Sequence, residues 1–331
     1  MQKGLVSIIT PCYNTGSIVH RLLDSILEQD YPSVEMFAID DGSTDNTSEV
    51  IKSYIAKFEK KGYRLTYVKQ ENGGQSSAIN NGLKMVSGEY LIWPDSDDYF
   101  RCTCALTRFV DTFINHDESY GVVRCVPMYV NEKSLKSVDR IALSKDYFDE
   151  DQFENCLFSQ KFFWGAGNYM LKISAFEKAN HERDIFVEKN AGQNWQMLLP
   201  VLYSFKCVTL NDHLFNVLVR ASSHSRGQYK TYEQQVLKFD SYKNTIINTL
   251  DSIQTMPQNK REEYKRIIRN KYKLNQLELA ISFRKKNDIS KLKSELKQEG
   301  IIFDKKRELF IKLRRFKVVR LLLGVISKLK I

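Results

Sequence analysis

Glu89-Tyr90-Leu91-Ile92-Trp93 runs directly into Pro94-Asp95-Ser96-Asp97-Asp98: a short apolar segment that ends in an acidic cluster. A five-residue segment with four apolar residues in a row, bounded by turn residues, reads as a strand covered on both faces, the kind found in parallel sheets. Working back from it, the same alternation of elements repeats. Leu5–Thr10 is a β-branched strand, and Ile18, Val19, Leu22, Leu23, Ile26 and Leu27 recur at helical spacing. Val34–Ile39 is a second strand, with Val50, Ile51, Tyr54, Ile55 and Phe58 as the next helical stripe and Asp45 or Asn46 as its cap. Leu65–Val68 and Ser76–Val86 supply a third strand and helix. A βαβαβαβ series of this kind calls for a parallel α/β sheet with right-handed crossovers.

In such sheets ligands bind beyond the carboxyl ends of the strands. The polar clusters fall at those ends: Thr10-Pro11-Cys12-Tyr13-Asn14, then Asp40-Asp41-Gly42-Ser43-Thr44-Asp45, then Glu71-Asn72-Gly73-Gly74-Gln75, and finally the cluster at 95–98. Asp95 and Asp97 alternate on an extended segment and so face the same way. Their hard oxygens suit Mg²⁺ or Mn²⁺, which take remaining ligands from water and substrate phosphates. By itself the cluster would also serve as an acidic turn before a helix near Arg101; its place on one edge with three other polar clusters favours a site. Tyr13 could stack on a base or simply pack, and Asp41 could accept a uracil N–H or shape a turn. Asn72-Gly73-Gly74 lets backbone approach a ligand or merely turns the chain.

With these four clusters in order, the chain resembles the family 2 glycosyltransferases of the GT-A fold, a Rossmann-like, mainly parallel sheet flanked by helices. The matching stretches are Val6–Asn14, Ile39–Thr47, Asn72–Asn80 and Gly88–Asp98. The resemblance implies that Pro11, Tyr13 and Asp41 line a nucleobase pocket, with Gly74, Gln75 and Ser96 in the nucleotide-sugar site. It places Asp95 near ribose and metal, and makes Asp97 the principal ligand of Mn²⁺ or Mg²⁺. Two positions depart from the family pattern. Ile79 stands where an arginine is frequent. Gln193-Asn194 stands where a Glu-Asp pair usually supplies the general base, and neither amide can take up a proton near neutral pH. Glu188 is the candidate base in their place, against a solvated surface glutamate as the plainer reading. Gln193, Asn194 and Trp195 would face the acceptor, with Trp195 either a sugar platform or a buried helix anchor. His224 follows a strand and could reach the diphosphate or metal, or be a loop histidine without a role.

Beyond about residue 226 helical stripes dominate, so the expectation is a GT-A domain over 1–226 and a helical region over 227–331. The net charge of +10 is concentrated in residues 301–331, which hold ten basic and two acidic residues. The other 300 residues are near neutral, which argues against a nucleic-acid face. The tail mixes Leu309, Phe310, Ile311, Leu313 and Phe316 with its basic groups, as expected of an anionic membrane surface contact or of packing on the protein's own helices. No CxxC pair, charged-then-apolar leader or run of eighteen apolar residues occurs, which reads as a reduced, cytoplasmic chain with peripheral membrane attachment open.

The function these expectations describe is transfer of a sugar from a UDP-sugar to a saccharide or lipid-linked acceptor in surface-polysaccharide synthesis. A nucleotidyltransferase would need a basic phosphate-gripping loop after the first strand, which Cys12–Gly16 lacks. A dehydrogenase would need GxGxxG there. A non-catalytic nucleotide-sugar binder is the rival that Gln193-Asn194 suggests.

Overall fold

The computed structural model describes residues 1–138, 142–180, 182–220 and 229–303. His224 and the basic tail from residue 304 lie outside the described residues. The described residues fall into two compact units, one of Met1–Ala221 with Asn248–Met256 and one within Ser222–Ile247 and Pro257–Ile331.

The first unit opens with β1 (Gln2–Cys12), α1 (His20–Leu27), β2 (Val34–Asp40), α2 (Thr47–Ser53), α3 (Ile55–Lys61), β3 (Arg64–Lys69), α4 (Gln75–Leu83) and β4 (Gly88–Ile92). These are the alternating elements expected, except that the stripe over residues 50–58 is two helices that meet at Tyr54. β1 pairs in parallel with both β2 and β4, and β2 with β3. The central strands β1, β2 and β4 are largely buried, and Ile8, Ile9, Ala38, Ile39, Leu91 and Ile92 show no exposed surface, while β3 at the sheet edge is only partly buried. That is why the central strands read as continuous apolar runs rather than alternating ones.

The second half of the unit is less regular. It contains β5 (Tyr99–Phe100), α5 (Ala105–Ile114), β6 (Tyr120–Cys125), β7 (Met128–Asn131), α6 (Phe153–Phe158), β8 (Tyr169–Lys172), α7 (Ile173–Ala179), α8 (Asn194–Ser204), β9 (Lys206–Leu210) and β10 (Phe215–Val219). The main sheet has the order β3-β2-β1-β4-β8-β6-β9. Its one reversed strand, β8, runs antiparallel to both β4 and β6. β5, β10 and β7 form a small second sheet. Because β8 is reversed, its amino end lies beside the carboxyl end of β4, with Ile92 opposite Met170. The segment that leads into β8 is thereby delivered to the edge that carries the acidic cluster.

Far from that edge, a polar clamp centred on buried Glu35 ties four strands. Glu35 on β2 accepts from Ser7 Oγ on β1 (2.6 Å) and from the Ser87 backbone N–H before β4 (2.7 Å). Ser7 Oγ in turn accepts from Gly88 N (3.0 Å). Arg64 on β3 closes the set through an ion pair with Glu35.

The helices that follow are α9 (Tyr232–Ser252), α10 (Gln258–Ser282) and α11 (Lys286–Gln298). Within the second unit Leu277, Ala280, Ile281, Ile289, Leu292 and Leu296 make a small core, fastened by Tyr232 Oη donating to Asp288 (2.8 Å) and Gln276 Nε2 donating to Asp240 (3.0 Å). Among the described residues no helix is long and apolar enough to cross a membrane. All six cysteines are free thiols.

Candidate active site

The loops after β1 and β2 are laced together. Asn14, at a left-handed φ of 52°, receives Ser43 Oγ as acceptor for its backbone N–H (3.0 Å) and accepts from Thr44 N through its own side chain (2.9 Å). Asp45 accepts from the backbone N–H of Gly16 (3.0 Å) and Thr47 (3.0 Å). Pro11 is buried at the end of β1, and Tyr13 stands 50 % exposed just beyond it. Asp41 is buried, and its carboxylate accepts from Gln70 Nε2, Gly73 N and Gly74 N, each at 2.8 Å. The residue that the family resemblance assigns to the nucleobase therefore also fixes the glycine turn.

That turn starts α4. Gly74 has a φ of +89°, and a Cβ there would lie 3.2 Å from Lys189 Cα, so glycine is required on both counts. Loop 185–193 is docked along α4. Asn80 bonds Ile185 in both directions at 2.8 Å, and Ser76 Oγ accepts from Glu188 N (3.1 Å). The docking sets two amides against one carboxylate: Gln75 Nε2 (3.4 Å) and Gln193 Nε2 (3.2 Å) both donate to Asp95 Oδ1. Ile79 is fully buried in α4, a packing residue where the family often has a cation.

The acidic cluster beyond β4 divides its labour. Asp98 is buried and accepts from Leu218 N (2.8 Å), so it anchors β10 under the cluster. Asp97, with 18 % of its side chain exposed, is ion-paired with Arg220, which follows β10. Burial, and then the charge of Asp97, push the Asp95 carboxyl up to about 7, against the opposing pull of the Gln193 amide and Arg220. Burial and the two neighbouring carboxylates push Asp98 well above the usual carboxylate range. Ser96 is buried between them. Negative charge is thus crowded here, and a guanidinium offsets it. These are hard oxygen donors, and among the described residues no group of three His, Cys, Asp or Glu side chains forms a protein cage for a metal. Carboxylates of this kind suit Mg²⁺ or Mn²⁺, which take their remaining ligands from water and substrate phosphates.

Arg220 is the functional candidate that sequence reasoning passed over. Its signal was a basic residue directly after the strand-like run Phe215–Val219. The pairing with Asp97 depends on a second sheet that periodicity does not announce.

On the other flank, the acceptor candidates separate. Asn194 is spent on structure: its Oδ1 accepts from Trp93 Nε1 (3.1 Å) and its Nδ2 donates to the Trp164 carbonyl (2.9 Å). Trp195 is only 9 % exposed and its Nε1 donates to the Cys156 carbonyl (3.2 Å), so it is the buried anchor of α8 and not a sugar platform. Gln193 remains at the site through Asp95. Glu188 is half-buried, its Oε1 accepting from Asn190 N (3.2 Å), and its backbone is held beside the first turn of α4.

The sequence model described as "Glycosyl transferase family 2" matches residues 7–178, more than half of the chain. Glycosyltransferase GlyA of Streptococcus pneumoniae serotype 4 is 26% identical over 234 residues, which is 67% of this chain and 31% of that protein. GlyG of the same organism is 33% identical over 129 residues, 35% of this chain and 42% of that one. The chain thus spans less than half the length of either relative. Among solved structures, S. aureus TarS 1–349 in complex with UDP-GlcNAc superposes with a TM-score of 0.59 at 16% identity, covering 84% of this chain and 75% of that one. The mannosyltransferase PcManGT from Pyrobaculum calidifontis, in complex with GDP-Man and Mn²⁺, gives 0.55 at 16% identity over 99% of this chain and 89% of that one. At these identities the structural likeness bears on the fold.

Proposed function

The chain belongs to glycosyl transferase family 2, and from that premise we propose that it moves a sugar from a UDP-sugar to a hydroxyl of a saccharide or lipid-linked acceptor, with inversion at the anomeric carbon. The observation that carries this reading is the cluster beyond β4. Asp97 and Asp95 stand partly open at the strand ends, beside the loops that hold Pro11, Tyr13 and Asp41. Tyr13 offers an aromatic face to a base, and the Gly73-Gly74 turn brings backbone close to the donor. When bound, Mn²⁺ or Mg²⁺ supplies positive charge to the departing diphosphate, and Asp97 and Asp95 are the residues that would hold it. Arg220, next to Asp97, adds a fixed cation on the same side. In the transfer the acceptor oxygen bonds to C1 as the bond from C1 to the diphosphate oxygen breaks; the acceptor proton passes to a carboxylate, for which Glu188 is the proposed base. A growing surface glycan handled at the inner face of the cell membrane is the setting we assign, with segment 301–331 on anionic headgroups.

The reading is tested by titrating UDP, GDP, dTDP and their sugars with and without Mn²⁺. UDP should bind tightest, and more tightly with metal. Absence of metal-dependent binding to every nucleotide would reject it, and binding without turnover would leave the non-catalytic nucleotide-sugar binder. Glu188→Gln should lower kcat by about 10²–10⁴-fold, flatten the acid limb of the pH–rate profile and leave UDP affinity unchanged. Full turnover with an unaltered profile would return Glu188 to the surface.

A further inference from the structure

The chain has three tryptophans near the acidic edge, and two are committed to the interior: Trp93 is fully buried, and Trp195 is the anchor of α8. Trp164 is half-buried and so retains accessible surface. Its ring is braced on two sides, by Trp195 at 5.0 Å with the planes at 65° and by Phe162 at 5.0 Å with the planes at 57°. Its carbonyl is held by Asn194, the residue beside Gln193. The backbone around it has little freedom. A Cβ on Gly165 would lie 2.7 Å from Val217 Cγ2, and one on Gly167 2.2 Å from the Phe215 ring, so segment 165–167 lies directly on β10. β10 is also the strand whose end holds Asp98 and Asp97. An aromatic ring braced in this way has already given up its rotamer freedom, and binding a ligand costs it little more.

Sheet order places this ring. Tyr13 follows β1 and the acidic cluster follows β4; Trp164 precedes the reversed strand β8, which is β4's neighbour on the side away from β1. In sheet order Tyr13 and Trp164 therefore fall on opposite sides of the acidic cluster. Tyr13 lies on the side of the loops after β1 and β2, and Trp164 lies on the side of Gln193 and the start of α8.

We propose that Trp164 is the platform on which the acceptor's pyranose ring stacks, its apolar C–H face against the indole. Trp164 is then a positioning residue for the acceptor, and the role that sequence reasoning gave Trp195 passes to the tryptophan that covers it. The proposal rests on the glycosyltransferase reading above and concerns only its acceptor half.

The test uses the full chain, with methyl β-glucopyranoside, methyl β-galactopyranoside and methyl N-acetyl-β-glucosaminide as probes. Saturation-transfer NMR titrations are run with and without UDP and Mn²⁺, on wild type, Trp164→Phe and Trp164→Ala. At least one glycoside should bind wild type, the alanine variant should bind it roughly tenfold or more weakly, and the phenylalanine variant should fall between them. UDP affinity should be the same in all three, and that also reports that the alanine variant is folded. Wild type binding none of the glycosides, or Trp164→Ala binding them as well as wild type does, would overturn the proposal. A wild type that fails to bind UDP would strike the donor reading instead, because the nucleotide-free titrations still decide Trp164.

Discussion

Asp97→Ala should lower kcat about a thousandfold, close to 4 kcal/mol of lost transition-state stabilisation, and abolish any metal dependence of UDP binding. Asp97 meets the requirements for this role within a few ångströms. Its side chain is partly open, its charge adds to burial in pushing the Asp95 carboxyl up to about 7, and it faces the Arg220 cation. Asp98, by contrast, is sealed in and spends Oδ1 on the β10 backbone. The fold should survive the substitution, because what Asp97 holds is a partly exposed guanidinium and not a strand. Equilibrium titration with UDP, with and without Mn²⁺, checks the binding half; steady-state release of UDP checks the other. Transfer retained within tenfold of wild type would remove Asp97 from the donor site.

Glu35→Ala should cost about 3 kcal/mol of folding stability, a large loss for one polar side chain far from the acidic edge. The variant leaves Ser7 Oγ and Ser87 N–H without their acceptor inside the sheet. Arg64 contributes little to this figure because its side chain is 61% exposed and its pairing is screened by solvent. Burial by itself would raise the Glu35 carboxyl, but the bonds from Ser7 and Ser87 and the charge of Arg64 outweigh it and hold the group below its usual value. The sign of the pH dependence follows. A carboxyl whose pKa is lower in the folded chain contributes fully above its unfolded value, and that contribution is lost as pH falls through the folded one. Urea melts of wild type and variant should therefore differ most near neutrality and converge on acidification below about pH 4. A gap that stays constant with pH would mean that shape, and not the charge of Glu35, holds the clamp. Nucleotide binding should be unaffected at temperatures where the variant is folded, because the clamp sits toward the amino ends of the strands.

What could be read from the sequence alone was local and periodic. The apolar runs of β1, β2 and β4 are continuous because both faces are buried, and the polar clusters after them are loops because nothing apolar is left to pair. That was enough to bring Pro11, Tyr13, Asp41, Gly74, Gln75, Asp95 and Asp97 to one edge. It was also enough to see that Gln193-Asn194 breaks the family pattern. It was not enough to say what those amides do. Gln193 reaches Asp95 because Ser76 and Asn80 dock a loop more than a hundred residues away in sequence, and Asn194 is tied to Trp93 by a contact of comparable span and to Trp164 by a shorter one.

The tertiary structure alone decided three further points. β8 runs against its neighbours, and direction leaves no trace in a four-residue apolar strand. The short strands β5 and β7 become strands only by pairing with β10, and that pairing aims Arg220 at Asp97. Trp164 and Trp195 have the same chemistry and lie thirty-one residues apart, and only packing makes one a buried anchor and leaves the other accessible. Residue type and spacing record which groups are available. Which of them are spent on holding the chain together, and which are left for a ligand, depends on long-range contacts that no window of sequence contains.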